Sequence, residues 1–237
     1  MSRSESKAPE LSGFGNGELG YAASTSIDVS KIEGIPQDLK ELLDSAVVRT
    51  VERDGLIEAI VPIGAIYRED VPVDASHVEE IARSIKAEAD LRGGSGQLSP
   101  VLLAHVPDFG QFLIIDGFHR VATFASATEQ DPDFGLRARI RPNTSLEEVT
   151  DLRILTANTH KAVKFSRVVE WVEESWSRSP WADRINAAQA FILVFAKTMT
   201  GQRLGVNPEE VEQIRTWVER KCDQWQLSPH SVYQYLS

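Results

Sequence analysis

The spacing of apolar residues changes character at Pro142. Before it, short and nearly continuous apolar runs predict buried strands at Leu56–Pro62, Val101–Val106 and Phe112–Ile115. Arg137–Arg141 alternates arginine with apolar residues and predicts a further strand. Leu39, Leu42, Leu43 and Val47 fall on one face of a helix expected within 35–54. Val78, Ile81, Ala82, Ile85 and Ala89 mark a second helix, with Ser76 and Glu79 as its capping box and Gly93-Gly94-Ser95-Gly96 as its break. The turn-rich Pro107-Asp108-Phe109-Gly110 joins two of the strands. The small and apolar residues of Asp116–Thr123 then suit a helix packed on the sheet.

After Pro142 the period is helical throughout. Ser145 with Glu148 caps a helix carrying Leu146, Val149, Leu152 and Leu155. Phe165, Val168, Val169, Val172 and Trp176 form the next stripe. Trp181–Thr198 is apolar almost all round and is expected as one buried helix. Asn207-Pro208-Glu209-Glu210 is a strong helix start, and Val211, Ile214, Val218, Cys222 and Trp225 continue it. Ser228-Pro229 opens a last short helix with Val232 and Leu236 inward. The fold class expected is α+β: a flexible tail over 1–34, a small mixed α/β domain over 35–142, and an all-α domain over 143–237.

Composition narrows the function classes. The net charge is −10, and residues 1–100 hold ten Lys+Arg against 18 Asp+Glu. A uniformly basic nucleic-acid binder is excluded, whereas a local basic face is not. Cys222 is the single cysteine, which excludes an internal disulfide and a cysteine-based zinc site. The N-terminus lacks an apolar signal core, and the longest nearly apolar run, Ala187–Ala196, is about half a bilayer span. A cytoplasmic protein without a membrane segment is expected. The histidines at 77, 105, 119, 160 and 230 show no metal-ligand spacing, and neither a P-loop nor a Gly-x-Ser-x-Gly elbow occurs. The five tryptophans, all between 171 and 225, suit core and dimer packing better than base stacking.

The segment richest in chemistry is Asp116-Gly117-Phe118-His119-Arg120. A strand ends at Ile115 and a helix begins near Gly117, where glycine lets a ligand approach the backbone. Unpaired N–H groups and the helix dipole there favour an anion. His119 adds a titratable donor and Arg120 a planar bidentate one. Asp116 has three roles open to it: holding a cation, accepting a hydroxyl proton, or capping the helix. Against the anion site stands the plainer alternative of a common Asp-Gly turn with Arg120 paired to surface acids.

The run Ile66–Ala125, with "HVEEIARSI", "LSPVLL" and "FLIIDGFHRVATFA", resembles the N-terminal domain of ParB-like proteins, the fold shared with sulfiredoxin. "LTANTHKAVKFSRVVEWV" at 155–172 is similar to that family's asparagine-containing helix junction. "SPWADR" at 179–184 is similar to the segment leading into the helix-turn-helix of streptomycin-type pathway regulators. The resemblance implies a nucleotide, CTP or ATP, with phosphates at Gly117, His119 and Arg120 and its Mg²⁺ oriented by Asn158. His160 and Lys161 would join the phosphate site. Phe118 stands where sulfiredoxin has its catalytic cysteine, so peroxiredoxin repair is excluded. Ala157 stands where partition proteins have a glutamate.

The function so implied is a nucleotide-responsive DNA-binding protein, a transcriptional regulator or partition-like factor, acting as a homodimer. Lys164 and Arg167, on the cationic cluster after Asn158, are candidates for DNA, as are His230, Ser231, Tyr233 and Gln234 on the second helix of a helix-turn-helix ending "QWQLSPHSVYQYLS". A solvated helix entrance and a plain helical bundle are the alternatives. Arg137, Arg139 and Arg141 make either a basic stripe or an exposed strand face paired with Asp131 and Asp133. The rival from another class is a small-molecule phosphotransferase or NTPase, similar to the free-serine kinases of this fold, with Asp116 as base.

Overall fold

The computed structural model describes residues 26–52, 55–69, 75–92, 97, 99–127, 135–160, 165–195, 201 and 203–237. The chain divides after Thr144 into two compact units. The first is mixed α/β and the second helical, which makes the fold α+β. Most of the expected tail, together with Gly93–Gly96, Asp131, Asp133, Lys161 and Lys164, lies outside the described residues. Residues 26–34 of that tail are described. Val29–Lys31 forms a 3-10 turn, and the Ile27 N–H bonds the Val48 carbonyl at 3.0 Å.

The described strands of the first unit are β1 (Val47–Val51), β2 (Ile57–Pro62), β3 (Val101–Ala104), β4 (Leu113–Asp116) and β5 (Gly135–Arg141). They form one sheet in the order β1-β2-β5-β3-β4. β3 and β5 run parallel, and the other neighbours are antiparallel. Helices α1 (Gln37–Leu43), α2 (Ala75–Arg92) and α3 (Phe118–Ala127) accompany them. Leu136, Ala138 and Ile140 of β5 are buried, as are Ile57, Ala59 and Val61 of β2. Ala82 and Ile85 of α2 and Val121 and Phe124 of α3 extend the same apolar core.

Two local expectations are corrected. The helix expected over 35–54 stops at Leu43, and its remainder becomes β1. Val47, Val48, Thr50 and Val51 are β-branched, so an extended edge paired to β2 suits them better than another helical turn. α2 already begins at Ala75, so Ser76 lies within its first turn instead of capping it. Of the β5 arginines, Arg137 Nη2 meets Glu58 Oε1 at 3.1 Å and Arg139 Nη2 meets Glu52 Oε2 at 2.6 Å, while the expected partners Asp131 and Asp133 lie outside the described residues. The pairing register sets Glu58 opposite Arg139, which brings that acid onto the arginine face.

His105 closes the end of β3. Its ring is fully buried, with Nε2 3.1 Å from Asp38 Oδ2 of α1. The Asn143 N–H points at Nδ1 from 3.4 Å, so the ring proton belongs on Nε2, facing the carboxylate. Burial alone would raise the Asp38 carboxyl. The Leu39 N–H, His105 and the Asp108 N–H outweigh it and hold that carboxyl below its ordinary value.

The second unit contains α4 (Leu146–His160), α5 (Phe165–Ser177), α6 (Ala187–Ile192), α7 (Pro208–Trp225) and α8 (Pro229–Leu236). Ser145 and Glu148 cap α4 reciprocally, and Asn207 with Glu210 does the same for α7. The single helix expected over Trp181–Thr198 is corrected. The chain makes turns through Trp181–Ile185, and Asn186 with Gln189 forms a new capping box, so the helix spans only Ala187–Ile192. Composition had hidden a stop-and-restart at Asn186.

Phe191 and Trp225 stack at 6.4 Å in the core of this unit, and the Trp176 Nε1–H bonds the Ile185 carbonyl at 2.8 Å. Cys222 is buried, and desolvation pushes its thiol up to about 12, so it is inert packing. Lys221, only 2% exposed, ties α7 to α4. Its Nζ lies 2.7 Å from both Glu147 Oε1 and Asp151 Oδ2, and Asp151 Oδ1 takes the Trp225 Nε1–H at 2.8 Å.

All five tryptophans lie in the second unit, so their fluorescence reports on it alone. Removing Lys221 strands Asp151 in a poorly hydrated site. Lys221→Ala is expected to lower the stability read by tryptophan fluorescence in urea by about 3 kcal/mol. The hydrogen bond from Lys221 holds the Glu147 carboxyl below its ordinary value. A carboxyl lowered by folding stabilises fully at neutral pH and loses that contribution as pH falls through its folded value. The fluorescence midpoint should therefore fall between about pH 5 and pH 3, and Glu147→Gln should flatten that slope.

Candidate functional site

β4 ends at Asp116 and α3 begins at Phe118, so the turn between them is the single residue Gly117. Its φ is 101°, in the region that side chains disfavour. A Cβ there would also lie 2.8 Å from Val101 Cγ1 and 3.2 Å from Arg120 Nη2. Glycine is required both by the backbone angle and by the closeness of β3 and Arg120.

Arg120 projects from the first turn of α3 toward the segment before β3. Its Nη1 donates to the Ser99 carbonyl at 3.0 Å, to Ser99 Oγ at 2.7 Å and to the Pro100 carbonyl at 2.7 Å. Its Nη2 donates to Asp116 Oδ2 at 2.9 Å. Both charged side chains are partly buried, at 22% and 29% exposure. Gln97 secures the same segment from behind. Its Oε1 accepts the Arg137 N–H at 2.8 Å, and its Nε2 donates to the Arg137 carbonyl at 2.9 Å. The amide thus continues the ladder that β3 makes with β5.

A cavity of about 200 Å³ opens among α2, α3 and this segment. Ile81, Ile85 and Phe124 give it apolar walls, and Ser84, Gln97, Ser99 and Arg120 supply polar groups. That mixture suits a small ligand with an apolar body and hydrogen-bond acceptors.

Asp116, Gly117, His119 and Arg120 therefore come together at one corner of the first unit. The His119 ring meets His77 of α2 edge-to-face at 4.8 Å, and its carbonyl accepts Thr123 Oγ1 at 2.8 Å. Asp116 faces Arg120, so the plainer alternative of an acid paired with that arginine is also present in the geometry. Ser99 and Gln97 were not foreseen. The one sequence hint was Ser99-Pro100 directly ahead of a strand, since proline leaves nearby carbonyls free for a side-chain donor.

The other candidates lie in the second unit. Asn158 and His160 sit in the last turn of α4, and their side chains lie outside the described residues. Arg167 pairs with Glu170 and stands 5.7 Å from the Trp171 ring. On α8 the exposed His230 meets Phe195 edge-to-face at 5.8 Å, and Tyr233 lies 6.5 Å from the same ring. The Ser231 N–H is held by the Ser228 cap at 3.0 Å, and Gln234 is exposed. Gln226, left-handed at φ 53°, ends α7 and turns the chain into α8 within three residues.

Asp116 Oδ2 is taken by Arg120, and the Mg²⁺ that the resemblance implies falls to Asn158, whose side chain lies outside the described residues. Among the described residues no group of three or more histidine, cysteine or acidic side chains is arranged to hold a metal. Among the same residues no helix is long and apolar enough to cross a membrane.

The fold class is a mixed sheet unit followed by helices. No protein-family model matches the chain, and no curated protein does. Among solved structures it is similar to the C-terminally truncated chromosome-partitioning protein ParB from Caulobacter crescentus, complexed to the centromeric parS site. Identity is 15%, over 73% of this chain and 95% of that one, with a TM-score of 0.32. A superposition that loose transfers no residue roles.

Substituting Gly117 tests the turn directly. Gly117→Ala must hold a left-handed angle and push Val101 aside, and it is expected to cost about 2 kcal/mol or more by chemical denaturation followed by circular dichroism. A loss under about 0.5 kcal/mol would mean that the corner tolerates a side chain.

Proposed function

We propose that the chain is a ParB-like, nucleotide-responsive DNA-binding protein, a transcriptional regulator or partition-like factor. The first unit takes a nucleotide phosphate at the Gly117–Arg120 turn, and the helical unit contacts DNA. The observation that carries the ligand half is Arg120 on the wall of a cavity beside a one-glycine turn. Three acceptors on Nη1 fix the guanidinium in place before any ligand arrives, which lowers the entropy cost of using it. The DNA half rests on the resemblance at 179–184 and on the short turn from α7 into the Ser228-capped α8. The phosphotransferase alternative asks Asp116 to act as base, and its engagement with Arg120 weighs against that role.

Titration with CTP, ATP and ADP in Mg²⁺ buffer, read by thermal shift and calorimetry, tests the ligand half. Arg120→Ala is expected to weaken the preferred nucleotide on the order of tenfold or more, as befits a charge-assisted contact. Equal shifts in wild type and variant remove Arg120 from the site. Retention of genomic fragments against rising salt tests the DNA half, with affinity expected to fall steeply as salt rises. If no fragment is retained at low salt, the regulator assignment fails.

A further inference from the structure

We propose that Asp116 is the affinity-limiting residue of the ligand site, a built-in anion that competes with any incoming phosphate for Arg120. This rests on the assignment of Arg120 as the phosphate anchor. Nη1 is committed to the Ser99 and Pro100 oxygens. Of the donors left, Nη2 already gives an N–H to Asp116 Oδ2 at 2.9 Å, so a phosphate approaching the Nη2 edge meets a carboxylate already in contact. The pair is partly buried and its arginine lines the cavity, so its attraction is less screened than that of a surface pair. A singly charged or diffuse anion gains little by taking the place of a carboxylate already in contact. A compact, multiply charged phosphate gains more, so Asp116 sets a charge threshold for entry as well as the affinity.

The direct test is Asp116→Asn. The amide oxygen can still accept from Nη2, so Arg120 keeps its position while its positive charge is no longer neutralised. Inorganic pyrophosphate and acetate serve as probes in calorimetry on the full chain, alongside Arg120→Ala and the double variant. Pyrophosphate is expected to bind Asp116→Asn roughly three- to tenfold tighter than wild type. Acetate should bind only Asp116→Asn, and the double variant should bind neither.

If wild type binds pyrophosphate through Arg120 but Asp116→Asn binds it equally or more weakly, the competition is overturned and the anchor stands. If neither wild type nor Asp116→Asn binds pyrophosphate or a nucleotide, the anchor itself is overturned. Should Asp116→Asn fail to fold, Asp116→Ser removes the same charge with a smaller side chain and carries the same expectations.

Discussion

One guanidinium organises the corner on which the function is argued. Arg120 gathers the end of β4, the start of α3 and the segment entering β3 through four hydrogen bonds. That gathering is possible only because Gly117 holds a left-handed angle and has no Cβ between Arg120 and Val101. Gln97 then fastens the same segment to β5. The cavity wall is a consequence of these contacts, since Ser99 and Arg120 line it together.

The helical unit is organised by a different kind of contact. Lys221 is buried between two acids of α4, and Asp151 is shared with Trp225. A buried lysine contributes little net stability over a well-packed apolar residue, but it allows only arrangements in which both carboxylates are near. In that sense the cluster specifies how α7 meets α4. The periodic stripe of α7 announced its apolar members Val211, Ile214, Val218, Cys222 and Trp225, all of them buried. It could not announce that Lys221 lies buried beside them.

Legibility in the sequence followed the locality of the cause. Most caps and turns that act within four residues were readable: Ser145 with Glu148, the Asn207 start, the Ser228-Pro229 start, and the glycine between strand and helix; the Asn186–Gln189 box was not, because the apolar run around it reads as one helix. The cavity corner was readable as a motif for the same reason, because Asp116, Gly117 and Arg120 lie within five residues of chain. Most of what else stayed hidden depended on distant pairing. Val47–Val51 became a strand because β2 offers it an edge, and the β5 arginines met Glu52 and Glu58 because of sheet register. Ser99 and Gln97 entered the site through contacts spanning 21 and 40 residues. No periodicity within a short window carries such information.

Charge divides the proposed labour between the units. The first carries 14 Lys+Arg against 23 Asp+Glu, the second 11 against 12. A surface as acidic as the first repels a polyanion, and its arginines at 120, 137 and 139 are each paired with an acid. At these three arginines a nucleic-acid phosphate would compete with a carboxylate already in place. A small phosphate ligand differs: it enters one cavity, competes with one carboxylate, and adds apolar contact with Ile81, Ile85 and Phe124. On the proposed function, the same pairing that makes the first unit a poor DNA surface would make its cavity selective for a small ligand, and DNA contact would fall to the nearly neutral helices.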